Sequence, residues 1–128
     1  MSCLFQALID AVPKTPKPGH LVVRNALVDY ISTNPRILDE AKDVKNAEVF
    51  NISKAVEWLG HGSLERYCER MRSPSEWGGA LEILAFTRLY SVNVHVKVSS
   101  TGKVIEFKSL EPGARIIKIN YNGVHYWA

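Results

Sequence analysis

Residues 80–98 read ALEILAFTRLYSVNVHVKV, and the rhythm of the apolar positions changes inside this stretch. Up to Tyr90 it is a long apolar helix pattern. After Ser91, VNVHVKV alternates strictly between apolar and polar residues, the signature of a strand with one buried face. One long helix therefore runs into a strand, and the chain on either side keeps to the same division.

Upstream, the pattern is helical. SCLFQALIDAV places apolar residues at 4, 5, 8, 9 and 12, with Ser2 as a cap, and stops at PKTPKPGH, an exposed proline-rich loop. LVVRNALVDYIS resumes through Val23, Leu27, Tyr30 and Ile31 and ends at Asn34-Pro35. Residues 36–52 predict one short helix and an irregular crossing, ISKAVEWLG a helix ending at Gly60, and SLERYCERM another from Ser63. Ser73, Pro74 and Glu76 have capping-box spacing, but Gly78-Gly79 moves the expected helix start to Ala80. Downstream, SSTG turns, KVIEFKS alternates again, and ARIIKINYNGVHYWA supplies two short strands around Asn122-Gly123. The expectation is one α+β domain over 1–128, helical over about 2–90, with an antiparallel meander over about 92–128.

The 128 residues suffice for a core without staples. A net charge of +3, with Lys and Arg scattered rather than clustered, gives nucleic-acid binding little support. Two cysteines make no disulfide framework, and the sequence has neither a signal-peptide pattern nor a long apolar span. These features predict a soluble protein in a reducing compartment, with no membrane association. No His or Cys pair has zinc-ligand spacing, so neither metal nor cofactor is expected.

Two residues carry candidate chemistry. Cys3 opens the first helix, where backbone N–H groups favour a thiolate and can receive an oxyanion. Taken alone, a helix-start cysteine before Leu and Phe reads first as a small buried hydrophobe. His125, between Val124 and Tyr126 in an expected terminal strand, stands apart from His20 beside the proline loop, His61 between two glycines, and His95 in an alternating strand. Cys68, inside ERYCERM, reads as packing. Lys14 and Lys17 read as solvated charges.

Three blocks together resemble the ovarian tumour (OTU) family of papain-like cysteine proteases. CLFQAL is similar to its nucleophile segment, EWGGALEILAFTRLYSVNVHVKV to its middle block, and IKINYNGVHYWA to its closing block with the catalytic histidine. The resemblance implies a papain-like OTU fold of α+β class, with N-terminal helices on a small C-terminal antiparallel β-sheet. It implies a thiol protease or deubiquitinase in which Cys3 attacks the carbonyl after a Gly-Gly tail and His125 shuttles the proton. The partner implied is ubiquitin or a ubiquitin-like modifier. Trp77, Gly78, Gly79, Glu82 and Trp127 are the implied substrate contacts.

Two departures from the family pattern stand out. Many members carry Asp or Asn two residues after the histidine to orient the ring; here Trp127 occupies that position, leaving Asn120, Asn122 or a backbone carbonyl as candidate orienters, or a bare Cys–His dyad. The acidic residue often found three positions before the cysteine would fall ahead of Met1. The compact size and stripped motif resemble viral polyprotein OTU domains, which implies host cytoplasm and, as a further partner, the parent polyprotein. The alternative is a catalytically weak or inactive ubiquitin-binding module of the same fold.

Overall fold

The computed structural model describes residues 3–13, 17–50 and 63–128. The helix expected over ISKAVEWLG, His61, the Ser2 cap and Lys14 lie outside the described residues. Within them the elements run α1 (Cys3–Ala11), α2 (His20–Thr33), α3 (Ile37–Lys42), a 3-10 turn (Ala47–Phe50), α4 (Leu64–Met71) and α5 (Ala80–Tyr90). Four strands follow: β1 (Val92–Val98), β2 (Val104–Phe107), β3 (Arg115–Tyr121) and β4 (Tyr126–Trp127).

The long apolar helix is the centre of the molecule. Every residue of α5 from Ala80 to Thr87 is buried, because α2 and α3 pack on it from one side and β1 and β2 from the other. Its N-terminus is set as expected at Ala80, but not by Ser73: Glu82 reaches back to the Gly79 N–H, while Ser73 shares a hydrogen bond with Ser75. At the other end Ser91 takes a left-handed conformation (φ 54°) and donates its N–H to Thr87. The chain thus swings from helix to strand in one residue. Ser63 caps α4 by accepting the Arg66 N–H at 3.2 Å.

The strands bury Val92, Val94, Val96 and Val98 of β1, Ile105 and Phe107 of β2, and Ile117, Ile119 and Tyr121 of β3 against the helices. This is the alternation read from the sequence. Phe50, Phe107, Tyr121 and Tyr126 form an aromatic cluster beneath them, with the Tyr121 and Tyr126 rings stacked at 4.3 Å.

The order of pairing departs from a meander. The sheet runs β2-β1-β3-β4, with β1 antiparallel to β2 (Val94↔Phe107) but parallel to β3 (Val92↔Arg115 through Val98↔Tyr121). Gly102, at φ +71°, closes the β1–β2 hairpin and fixes that pairing. Residues 108–114 then cross the start of β1 and deliver β3 to its other side. Alternation states which face of a strand is buried, not which neighbour it takes. β4 closes the edge antiparallel to β3 through Asn120↔Trp127 and Tyr121↔Tyr126.

Candidate active site

α1 is held by its own apolar face. Leu4, Phe5, Leu8 and Ile9 are buried, and the helix packs on α2, β3 and β4. Its C-terminal carbonyls are capped by Lys17, whose ammonium donates to the Ile9 and Asp10 oxygens at 3.2 and 3.0 Å, so this lysine is not a free solvated charge. Cys3 opens the helix half-buried, with a free thiol. Cys68 differs: it is buried among core residues, its thiol pushed up by burial, and its sulfur lies 3.9 Å from the Val28 carbonyl.

The first turn of α1 rests on Gly78. A Cβ at that position would come within 2.6 Å of Leu4 Cδ2 and 3.1 Å of Phe5 Cζ, so residue 78 must lack a side chain for the segment to lie on the helix. The segment is pinned from below. Arg24 is completely enclosed, its guanidinium 4.2 Å over the Phe5 ring. It donates to the Met71 carbonyl at 2.9 Å and the Glu76 carbonyl at 2.8 Å. Burial lowers its pKa, opposed by Glu82, Glu76 and Cys3, and a guanidinium stays charged throughout. Glu82, 2% exposed, accepts the Gly79 N–H on Oε1 at 2.8 Å and the Tyr67 hydroxyl on Oε2 at 2.6 Å. Burial raises its pKa, and those two hydrogen bonds hold it back only partly. The Tyr67 phenol is raised well above its ordinary range by burial and by Glu82.

The opposite wall is a turn. Asn122 Oδ1 accepts the N–H groups of Val124 (2.9 Å) and His125 (2.7 Å), and the Asn122 N–H donates to the His125 carbonyl at 3.1 Å. Gly123 supplies φ +97° at the apex, and its carbonyl accepts the Tyr121 hydroxyl at 3.0 Å. His125 is exposed and immediately precedes β4 rather than lying in the expected strand, because the Asn122 turn takes up residues through 125. Its ring lies 6.3 Å from that of Trp77, tilted by 51°. Between the walls is a groove of about 210 Å³, lined by Trp77, Gly78, Tyr121, Gly123, Val124 and Tyr126. Cys3 bears on this place as well: burial first, and then Cys3 among nearby groups, raises the phenols of Tyr121 and Tyr126.

The fold thus brings Trp77 and Gly78, on which the first turn of α1 rests, into one groove with Gly123 and Val124; Cys3 and His125 adjoin it through Leu4 and Val124 and are not themselves among the lining residues. It does not bring all the expected residues there. Glu82 is sealed beneath the groove and cannot meet a substrate. Gly79 is also buried, spending its N–H on Glu82. Both acceptor positions of Asn122 are occupied by backbone, so that carbonyl cannot orient the imidazole. Asn120 sits opposite Trp127 in the β3–β4 ladder and donates its amide to the Trp127 carbonyl at 3.4 Å. Trp127 itself is 43% exposed and is not among the groove-lining residues. Sequence reasoning missed Arg24 and Tyr67. Arg24 falls in helical step with Leu27, Val28 and Ile31, and Tyr67 with Leu64, Cys68 and Met71. That spacing, rather than residue type, was the signal of their burial.

Known proteins share this architecture. A solved OTU domain in complex with ubiquitin superimposes with a TM-score of 0.69 at 22% identity, over 98% of this chain and 61% of that one. The OTU domain of OTUD1 gives 0.62 at 18% identity, over 98% and 76%. Human OTU domain-containing protein 4 is 32% identical over 89 residues, covering 70% of this chain and 6% of that protein. Ubiquitin thioesterase OTU1 of Rattus norvegicus is 29% identical over 62 residues, covering 48% of this chain and 18% of its own. The chain thus spans less than a fifth of the length of either relative. The model of the family described as OTU-like cysteine protease matches residues 2–124, and with this match and this fold the chain belongs to the OTU-like cysteine protease family.

Proposed function

We propose that this domain is a thiol hydrolase that cleaves after the Gly-Gly tail of ubiquitin or a ubiquitin-like modifier, with Cys3 as nucleophile and His125 as its base. The observation that carries the reading is that the Cys3 turn and His125 adjoin the same groove from its two walls. The helix start bearing Cys3 rests on Gly78, the ring of its neighbour Trp77 lies 6.3 Å from that of His125, and α1 packs on β4. A helix N-terminus and an imidazole on one cleft are what a thiolate nucleophile requires.

In this reading His125 takes the Cys3 proton as sulfur bonds to the scissile carbonyl carbon. Donors of the first helical turn, which have no intrahelical acceptor, face the developing oxyanion. His125 then protonates the departing amine as the C–N bond breaks, leaving a thioester. Water, losing a proton to His125, attacks that thioester and releases the carboxylate and the thiol. The pinch between Trp77-Gly78 and Gly123-Val124 suits a tail without side chains. Kinship with ubiquitin thioesterase OTU1 and the fold shared with an OTU domain that binds ubiquitin support this substrate class. Cleavage of a parent polyprotein would use the same pair of residues. The free thiol suits a reducing cytoplasm, that of a host cell if the chain is viral.

The test is reaction with ubiquitin bearing a C-terminal electrophile, followed by peptide mapping. Adduct on Cys3 and not Cys68 is expected, and Cys3→Ala or His125→Ala should lower turnover of a ubiquitin-tail substrate about 10³-fold or more. Ubiquitin binding without adduct, unaffected by Cys3→Ala, would establish a binding module instead.

A further inference from the structure

We propose that Trp77 is a positioning residue for the His125 imidazole and takes the place of the side-chain acceptor that position 127 does not supply. The proposal rests on the reading of Cys3 and His125 as a reacting pair and adds to it the means by which the ring is held.

The His125 backbone is fixed by Asn122, but its side chain is exposed, and among the described residues no hydrogen bond is made to its ring. Trp127 offers only an indole N–H donor and cannot accept from an imidazole. The Asn122 carbonyl is already shared by two backbone N–H groups. What the ring does meet is Trp77, at a centroid distance of 6.3 Å and a tilt of 51°, inside the range in which aromatic rings attract. An indole face also favours the imidazolium that forms as Cys3 gives up its proton.

A wall orients a ring only if the wall is rigid, and Trp77 lies within the most firmly held segment of the site. The residue before it offers its carbonyl to the enclosed Arg24; the residue after it is pressed on Leu4 and Phe5; the next gives its N–H to the enclosed Glu82. Trp77 nevertheless remains 41% exposed, which a core anchor would not be. Its ring therefore forms a fixed surface along the groove rather than part of the interior. Confining the imidazole against that surface removes rotamers that point away from Cys3, which is the service an acceptor at position 127 would perform.

The experiment compares Trp77→Leu and Trp77→Phe with the unaltered protein by two readouts at pH 7. One is the rate at which iodoacetamide alkylates Cys3, followed by peptide mapping, which involves no substrate. The other is the split between kcat and KM on a ubiquitin-tail substrate. Trp77→Leu should slow alkylation and lower kcat about tenfold or more, and Trp77→Phe, which keeps a ring, should recover most of both. Thermal melts confirm that each variant is folded. A rise in KM alone, with kcat and alkylation unchanged, would make Trp77 a groove wall only and overturn the proposal. So would a loss in Asn120→Ala with none in Trp77→Leu, which would assign the orienting to Asn120. His125→Ala keeps the two levels apart: if it abolishes turnover while Trp77→Leu does not matter, the reacting pair stands and the positioning role falls. If His125→Ala changes nothing, the pair itself is wrong and Trp77 has no ring to position.

Discussion

Residues 71–79 and residues 122–125 face each other across the groove, the first held by three enclosed polar side chains, the second by a turn that closes on itself. Arg24, Tyr67 and Glu82 are buried, and through Met71, Glu76 and Gly79 they fasten the segment that carries Trp77. The turn at Asn122–His125 is exposed throughout, and its hydrogen bonds, the one from the Tyr121 hydroxyl to Gly123 included, are local. Rigidity is concentrated on the wall that supports the nucleophile helix. The histidine wall is short and exposed, and if Trp77 positions the imidazole, it takes its order from its neighbour across the groove. Substitutions on the two walls should therefore differ in kind: on the first they should unfold the protein, and on the second they should misplace a ring.

Arg24→Ala should have the largest effect. It takes the Arg24 donor from the buried Met71 carbonyl and the part-buried Glu76 carbonyl, removes the cation over Phe5 and leaves a cavity beneath Gly78. Deleting one partner of such a buried charged network costs about 3–5 kcal/mol. That is a large part of the total stability of a domain this size. Denaturant unfolding reads it directly, and a loss under about 1 kcal/mol would show that the segment stands without Arg24 and remove the contrast between the walls.

The two glycines of the groove sharpen the contrast at smaller scale. Gly78 is a packing glycine: an added methyl group meets Leu4 and Phe5. Gly123 is a conformational glycine: an added methyl group meets nothing within 4 Å, but its φ of +97° strains any L residue. Gly78→Ala should cost about 1–3 kcal/mol through overpacking and, by displacing the first turn of α1, should also slow Cys3 alkylation. Gly123→Ala should cost about 1 kcal/mol through backbone strain alone and leave Cys3 reactivity nearly unchanged. Equal effects of the two on alkylation would show that the turn is coupled to the nucleophile as tightly as the segment is.

The difference between the walls also governs what the sequence could disclose. The histidine wall is written in local signals: alternation ending at Tyr121, an Asn-Gly turn, then two residues of strand. The start of α5 was equally legible, since Gly78-Gly79 cannot sit comfortably in a helix. The supports of the other wall are long-range. Arg24 joins Met71 and Glu76 across some fifty residues, and Tyr67 meets Glu82 across the α4–α5 connection. A charged residue inside LVVRNALVDY looks solvated until tertiary contacts enclose it. Glu82 misled for the same reason: an acidic residue in a conspicuous block reads as a surface group, whereas its carboxylate is an internal cap. The parallel β1–β3 pairing was hidden likewise, because the seven residues from Lys108 to Ala114 can reach either side of β1.

The smallest expected effect is a slope rather than a step, and it isolates the buried carboxyl. Burial raises the pKa of Glu82 in the folded protein, so the folded state holds its proton more tightly than the unfolded chain does. Below about pH 4.3, the ordinary range of a glutamate, both states are protonated and the favourable contribution is fully present. As pH rises through the raised folded value, the unfolded chain has already ionised and the folded protein must follow at a cost, so that contribution is lost. Glu82→Gln keeps an acceptor for the Gly79 N–H and has nothing to ionise, while the Tyr67 hydroxyl can turn to accept from the new amide. Its urea midpoint, measured from pH 4 to 8, should therefore fall less with rising pH than that of the unaltered protein. The difference between the two should grow toward neutral pH and vanish toward pH 4. Parallel curves would mean that Glu82 ionises as freely when folded as when unfolded, and that burial alone does not distinguish the two walls of the groove.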